Sequence, residues 1–214
     1  MQILVFGHST VYGAWDSDGG WVARLRKFCD KKGFGDQDYY YLFYNLGIQG
    51  ETSSQLLERF EREAQPRVST NTNDNIIIIQ IGKNDSAFVV SKNAWKVEKE
   101  DFERNVRLLA GKAKRFSANT VFIDHGIVNE EKPEYKKWTP DLVYTNEALK
   151  EYDSIVQRVA KEEGVGFISV SKKLSKYKPD EIFDPDGLHL NNKGHKIVFS
   201  TVKSYLVKKG LLNL

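Results

Sequence analysis

Two kinds of hydrophobic pattern alternate along this chain. Short apolar runs, rich in β-branched and aromatic residues, occur as "ILVFG" (3–7), "YLFYNLG" (41–47), "IIIIQIG" (76–82), "TVFIDHG" (120–126) and "VGFISV" (165–170). They are nearly continuous rather than alternating, which is the pattern of strands covered on both faces. Between them, apolar residues recur at helical spacing. Leu56, Leu57, Phe60 and Ala64 share one face, with Thr52 and Gln55 as a capping box at its start. Phe102, Val106, Leu109, Ala113 and Phe116 form a second stripe. Leu149, Tyr152, Val156 and Val159 form a third, ended by Gly164. Two more helices are predicted over roughly 21–32 and 192–208.

Strand followed by helix, five times over, implies parallel strands joined by right-handed crossovers with helices on both faces. The predicted fold is α/β, a three-layer α/β/α sandwich on a five-stranded parallel sheet, forming a single domain over 1–214. There is no linker, repeat or low-complexity segment. One long irregular connection remains, "GIVNEEKPEYKKWTPDLV" (126–143). Loops of that length in compact domains are usually functional or mobile.

Composition narrows the function classes. A chain of 214 residues buries about 70% of its unfolded surface and needs no staples. Lys plus Arg number 32 against 29 Asp plus Glu, and the charges are interspersed, so no basic stripe for nucleic acid is present. The densest run, "SKKLSKYK" (171–178), reads as a solvated loop. Cys29 is alone, which excludes an internal disulfide and suits a small core position in a reducing compartment. "MQILVFG" enters an apolar strand at once, and no apolar run approaches the ~18 residues a membrane span needs. A cytoplasmic protein without stable membrane insertion is expected. The turn after the first strand is no dinucleotide fingerprint, since Ser9 and Tyr12 stand where glycines belong, and there is no phosphate-cradling loop ending in Gly-Lys-Ser/Thr. No cofactor is expected.

Parallel sheets of this kind bind ligands beyond the carboxyl ends of their strands, at the topological switch point. Here the strands end in "GHST", "NLGIQG", "GKND" and "DHG", and "FDPDGLHLNNKGH" precedes the last helix. A serine hydroxyl needs a base within about 3 Å, itself oriented by a carboxylate. Ser9, His189 and Asp186 are the residues that supply those three groups. Donors for a developing oxyanion are available from the Asn84 amide, the Gly47 backbone N–H and the Ser9 backbone N–H. Structural readings stand beside these. Ser9 can cap the first turn, Asn84 and Asp85 can cap the turn after the third strand, and Asp186 with His189 can form a local turn or part of a metal site, although further ligands at a recognisable spacing are missing. His125 either lines the pocket or is structural, and His195 is expected to pack or cap in the last helix. Tyr12, Trp15 and Trp138 are candidate pocket-lining aromatics, whereas Trp21 and Trp95 read as packing residues.

Four blocks in order, "FGHST", "NLGIQGETS", "IGKND" and "DPDGLHLNNKGH", resemble those of the SGNH hydrolase superfamily, the GDSL-type esterases and lipases. The resemblance spans nearly the whole chain. It implies a flavodoxin-like SGNH hydrolase fold, with Ser9 as nucleophile, His189 as base, Asp186 as its partner, and Gly47 and Asn84 as oxyanion donors. It also implies a small acyl ester as substrate: an acetylated carbohydrate, a lysophospholipid or another short acyl ester. No extended apolar loop suggests a lid for long chains, which favours short acyl groups. One position departs from the family pattern. The first block normally reads Gly-Asp-Ser-Leu, and here an imidazole, His8, replaces the aspartate. His8 has no orienting carboxylate nearby in sequence and is expected to point away from the Ser9 hydroxyl or to line the pocket. A catalytically weak relative that binds an acylated carbohydrate or a protein partner is the second reading. The sequence assigns no oligomeric state.

Overall fold

The computed structural model describes residues 1–33 and 40–212. Its strands are β1 (Gln2–Gly7), β2 (Leu42–Gly47), β3 (Asn75–Gln80), β4 (Phe88–Val89), β5 (Ala94–Trp95), β6 (Asn119–Ile123), β7 (Leu142–Val143) and β8 (Gly166–Ile168). The helices are α1 (Ser9–Tyr12), α2 (Gly20–Gly33), α3 (Ser53–Ala64), α4 (Lys99–Phe116), α5 (Asn146–Glu162), α6 (Ser171–Leu174), α7 (Pro179–Ile182) and α8 (Asn192–Lys208). The five predicted runs form one sheet in the order β2-β1-β3-β6-β8, and every neighbouring pair is parallel. The chain moves from β1 to one side and then returns to the other. That reversal places the switch point at the carboxyl end of β1.

Alternation along each strand feeds two cores. Ile3 and Val5 pack with Ile76, Ile78 and the inner faces of α2 and α8, including Leu25, Val198 and Val202. Leu4 and Phe6 pack on the opposite face with Ile77, Ile79 and residues of α3, α4 and α5 such as Phe60, Val106 and Val156. Ile76 to Ile79 have no exposed surface at all. Burying each such side chain is worth about 1.5–3 kcal/mol, which is why an unbroken apolar run sits in the middle strand. Among the described residues no helix is long and apolar enough to cross a membrane.

Sequence periodicity misses the short elements. β4, β5 and β7 form a small antiparallel sheet in the order β5-β4-β7; two residues are too few to establish a period. β7 belongs to the long connection 126–143, which is therefore tied down along its length. Val128 and Tyr135 of that connection join Ala87, Tyr144, Leu149 and Leu188 in a third small core. Trp21 lies in the main core, and Trp95 packs edge-on against Phe88 and Tyr152.

One glycine contact controls the geometry next to β1. Gly13 and Gly20 both have positive φ, and a Cβ on Gly20 would lie 2.3 Å from the Gly13 Cα. Only two glycines let the end of α1 touch the start of α2 so closely. Gly20→Ala should therefore lower stability by about 2 kcal/mol or more, read from urea denaturation. Gly111 provides the contrast: it sits in α4 with open space around it, so Gly111→Ala should stabilise by about 0.5–1 kcal/mol. Equal effects from the two substitutions would contradict this account.

Candidate active site

Ser9 stands where β1 gives way to α1. Gly7, the last residue of β1, has φ +153, and a Cβ there would meet the Gln80 carbonyl at 2.1 Å. His8 is extended and caps α1, its Nδ1 accepting the Thr10 N–H at 3.4 Å. Ser9 is thus the first residue of a helical turn rather than part of an extended segment. His8 points inward: its side chain is fully buried and its Nε2 has no partner among the described residues. Burial, reinforced by the nearby Lys83 charge, holds this imidazole well below its usual pKa and keeps it neutral. His8 therefore lines no open surface.

The hydroxyl of Ser9 meets His189 Nε2 at 3.1 Å, and His189 Nδ1 lies 2.6 Å from Asp186 Oδ2. A tight turn builds the second half of this chain. Asp186 Oδ1 accepts the backbone N–H groups of Leu188 at 2.7 Å and His189 at 2.8 Å. Gly187, at φ +74, sits 2.1 Å (measured from a built Cβ) from the Lys132 carbonyl, so no other residue fits. The long connection braces the turn from outside: Asn129 N–H donates to the Gly187 carbonyl and Tyr135 N–H to the Asp186 carbonyl. Burial works against ionisation of Asp186, yet hydrogen bonds from the His189 side chain and from the turn N–H groups prevail. The carboxyl is held below its ordinary range.

Asn84 has a fixed amide. Its Nδ2 donates to the Glu51 carbonyl at 3.0 Å, and its Oδ1 accepts the Tyr144 hydroxyl at 3.1 Å. The other hydrogen of this amide has no partner among the described residues. Asp85, next to it, accepts from Ser53 N at 2.8 Å and Ser53 Oγ at 2.5 Å and so caps α3. Gly47 is placed differently from expectation. Its N–H donates to Asn45 Oδ1 at 3.1 Å, and a Cβ there would overlap the Tyr12 backbone N at 2.3 Å. Gly47 lets α1 close on β2, and its N–H is already used. The neighbouring Gly50, at φ +71, has open space around it, and its N–H has no partner among the described residues. An ion pair between Glu51 and Arg59 holds this turn, and Arg59 also donates to the Leu46 carbonyl.

Two further histidines are structural. His125 has a fully buried side chain, with Nδ1 2.6 Å from Asp153 and Nε2 bonded to the Ile81 carbonyl. Burial lowers its proton affinity, but Asp153 outweighs that and raises its pKa. It too lines no open surface. His195 donates from Nε2 to the Ala14 carbonyl at 3.3 Å, and burial lowers its pKa to about 4. Tyr12 and Trp138 are about half exposed, on α1 and on the long connection. Trp15 is equally exposed, and its indole N–H reaches Asp186 Oδ2 at 2.9 Å.

The profile of the GDSL-like lipase/acylhydrolase family matches residues 5–197. The chain belongs to that family. No curated protein matches its sequence significantly. Among solved structures it resembles the lipase/acylhydrolase from Enterococcus faecalis, at 18% identity and TM-score 0.73, covering 99% of this chain and 97% of that one. The acetyl xylan esterase AlAXEase gives 19% identity and TM-score 0.74, covering 96% of this chain and all of the other. Axe2, an acetylxylan esterase from Geobacillus stearothermophilus, gives 18% and 0.69, with coverage of 96% and 92%. Likenesses at such identities establish the fold, which is that of the SGNH hydrolases.

Sequence reasoning missed one charged group of this GDSL-family hydrolase. Lys83 is buried beneath the turn, its Nζ donating to the carbonyls of Ile127 at 3.2 Å and Leu188 at 3.4 Å. The only signal was a lysine inside "GKND". Burial lowers its pKa to about 8, against the pull of Asp153, Asp186 and Asp124. The unfolded chain holds this proton up to about 10.5. Between those values the unfolded state binds more protons, so stability rises with pH across that window, and the cost of charging Lys83 is fully present below it. Lys83→Met should remove this contribution. Its stability relative to the parent should fall as pH climbs from about 8 to 10.5, measured by paired urea titrations. A difference independent of pH would show that Lys83 does not titrate there.

Proposed function

We propose that this protein is a serine esterase that removes short acyl groups through an acyl-enzyme. The observation that carries the reading is the relay from Ser9 Oγ to His189 Nε2 at 3.1 Å and on to Asp186 at 2.6 Å. Ser9 Oγ attacks the ester carbonyl carbon while its proton passes to His189 Nε2. Asp186 stays ionised and stabilises the imidazolium. The tetrahedral intermediate collapses by breaking the bond to the alcohol oxygen, which leaves with the proton from Nε2. Water then repeats the sequence on the acyl-Ser9 ester, releasing the acid and restoring the hydroxyl.

Three donors serve the oxyanion in this reading. They are the Ser9 N–H at the head of α1, the free Nδ2 hydrogen of Asn84, and the Gly50 N–H in place of that of Gly47. Tyr144 and Glu51 hold the Asn84 amide in advance, so little reorganisation is left for the reacting state. His8 serves as a buried cap rather than a base, for it has no carboxylate to orient it. Exposed Tyr12 and Trp15, on and just after α1, and Trp138, on the long connection, offer flat apolar faces. Two of the solved structures with this fold are acetylxylan esterases, which supports acetyl groups on a carbohydrate as the substrate class.

Hydrolysis of p-nitrophenyl esters of increasing chain length tests both parts. The acetate should give the highest kcat/KM, and Ser9→Ala should cut kcat by about 10⁴ to 10⁶. Failure of the parent protein to turn over any ester, while still binding acetylated xylooligosaccharides, would replace catalysis with binding.

Asn84→Ala should lower kcat by about 10² to 10³ with little change in KM, because its free N–H meets full charge only in the transition state. A rise in KM at constant kcat would make Asn84 a binding residue instead.

A further inference from the structure

Trp15 is a costly residue where it stands. Its backbone has φ +66, and among the described non-glycine residues only Asn93 shares a positive value. Asparagine tolerates that region, whereas a bulky residue there is strained. The strain is not repaid by burial, because more than half of the Trp15 surface is exposed.

The surrounding chain nevertheless imposes this conformation. Asp16, whose side chain is fully buried, accepts Arg24 Nε at 2.9 Å and Nη2 at 2.8 Å, and also Gly20 N–H at 3.0 Å. Burial opposes its ionisation, but the Arg24 bonds win and hold the carboxyl below its usual range. The Ala14 carbonyl is tied to His195 of α8, and Ser17 exchanges hydrogen bonds with Asn192 at the start of the same helix. The segment carrying Trp15 is thus stitched on both sides to the helix that follows the His189 turn. Strain that persists because neighbours over-determine it points to a use.

The use is visible at Asp186. Trp15 Nε1 lies 2.9 Å from Asp186 Oδ2 and 3.0 Å from His189 Nδ1, and the two rings meet edge to face at 85°. If His189 is to receive a proton at Nε2, its Nδ1 must carry one and cannot accept from the indole. Both N–H groups then converge on one oxygen, Oδ2, while Oδ1 takes the two turn N–H groups. All four donors leave the carboxylate no freedom to rotate.

We propose that Trp15 is a positioning residue, its indole N–H fixing Asp186, and through it the His189 ring, in the alignment that proton transfer from Ser9 requires. The inference rests on the Ser9–His189–Asp186 reading above. It adds an electrostatic consequence. By donating to Oδ2 the indole spreads the carboxylate charge, so the imidazolium is held less tightly than by an unshared aspartate. Other ionisable groups facing His189 are Asp184 on its turn, His8 at the head of α1 and His195 on α8, with Lys83 behind Asp186. None of these groups is hydrogen-bonded to the Trp15 indole.

Trp15→Phe keeps a ring and removes the donor. It should lower kcat roughly tenfold to a hundredfold, with KM within about twofold of the parent. The acidic limb of the pH–rate profile should move up by about 0.5–1 unit, a shift that a merely structural residue would not produce. In the parent protein the indole N–H resonance of Trp15, observed by ¹⁵N NMR, should follow the same limb. Unchanged kcat and limb in Trp15→Phe, or a rise confined to KM, would overturn the inference. If the variant does not fold, the NMR signal decides, and a Trp15 resonance insensitive to that limb overturns it equally. His189→Ala separates the two readings. An inactive His189→Ala beside an unaffected Trp15→Phe removes only the role of Trp15, whereas an active His189→Ala removes the relay as well.

Discussion

A hydroxyl and an imidazole separated by 180 positions in the chain meet at 3.1 Å, and the rest of the architecture is arranged to make that possible. The hydroxyl sits at the end of the central region of a parallel sheet, where the chain reverses its direction of travel. The imidazole comes from the turn that leads into the last helix. That helix packs on the same face as α2, through Val198, Val202 and Leu206. Hydrophobic burial on one face of the sheet therefore sets the gap on its edge. A shift of about 1 Å in α8 would be felt directly in the distance between Ser9 and His189.

Beneath this surface lies a layer of buried polar groups, and each is held for a reason. Asp85 caps α3, His125 is bonded through Nε2 to the Ile81 carbonyl with Asp153 beside its Nδ1, and Asp124 accepts the N–H groups of Val170 and Ser171 together with two serine hydroxyls. Lys83 satisfies the carbonyls of Ile127 and Leu188, one on the long connection and one beside His189. Buried polar groups are expensive unless paired, so this layer adds directionality rather than net stability. It fixes where each strand end points. His8 is held on one side only: its neutral ring caps the turn carrying Ser9 through Nδ1, while its buried Nε2 has no partner among the described residues.

Segments without regular structure do much of the positioning. The connection 126–143 donates to the backbone of the Asp186 turn, and its core residues Val128 and Tyr135 pack with Tyr144, whose hydroxyl orients Asn84. On the other side the strained segment around Trp15 reaches the same carboxylate. Two loops from distant parts of the chain thus converge on one aspartate. Coincidence of this kind belongs to binding sites on rigid scaffolds, where the sheet supplies the frame and the loops supply the groups.

Local pattern was enough to read the five central strands and the long helices, and it singled out Ser9, Asp186 and His189, which the fold brings within hydrogen-bond distance of one another. Periodicity reports burial, and burial in a layered α/β sheet follows from which residues are apolar. Quantities that depend on partners distant in sequence were beyond it. The Asn45–Gly47 bond inside "NLGIQGE" spans only two residues, yet whether the Gly50 N–H finds a partner depends on the rest of the fold, and among the described residues it has none. Nothing in "GKND" says that its lysine is buried, or that a tyrosine 60 positions away holds the asparagine amide. The two-residue strands of the small sheet carry no period to detect. Trp15 was legible as an aromatic near Ser9 in sequence, but its bond to Asp186 accompanies a left-handed backbone flanked by the Asp16–Arg24 pair and the contacts to α8. Residue type and spacing chose the elements; hydrogen-bond partners were chosen by three-dimensional packing, because each bond is set by a distance that only the folded chain defines.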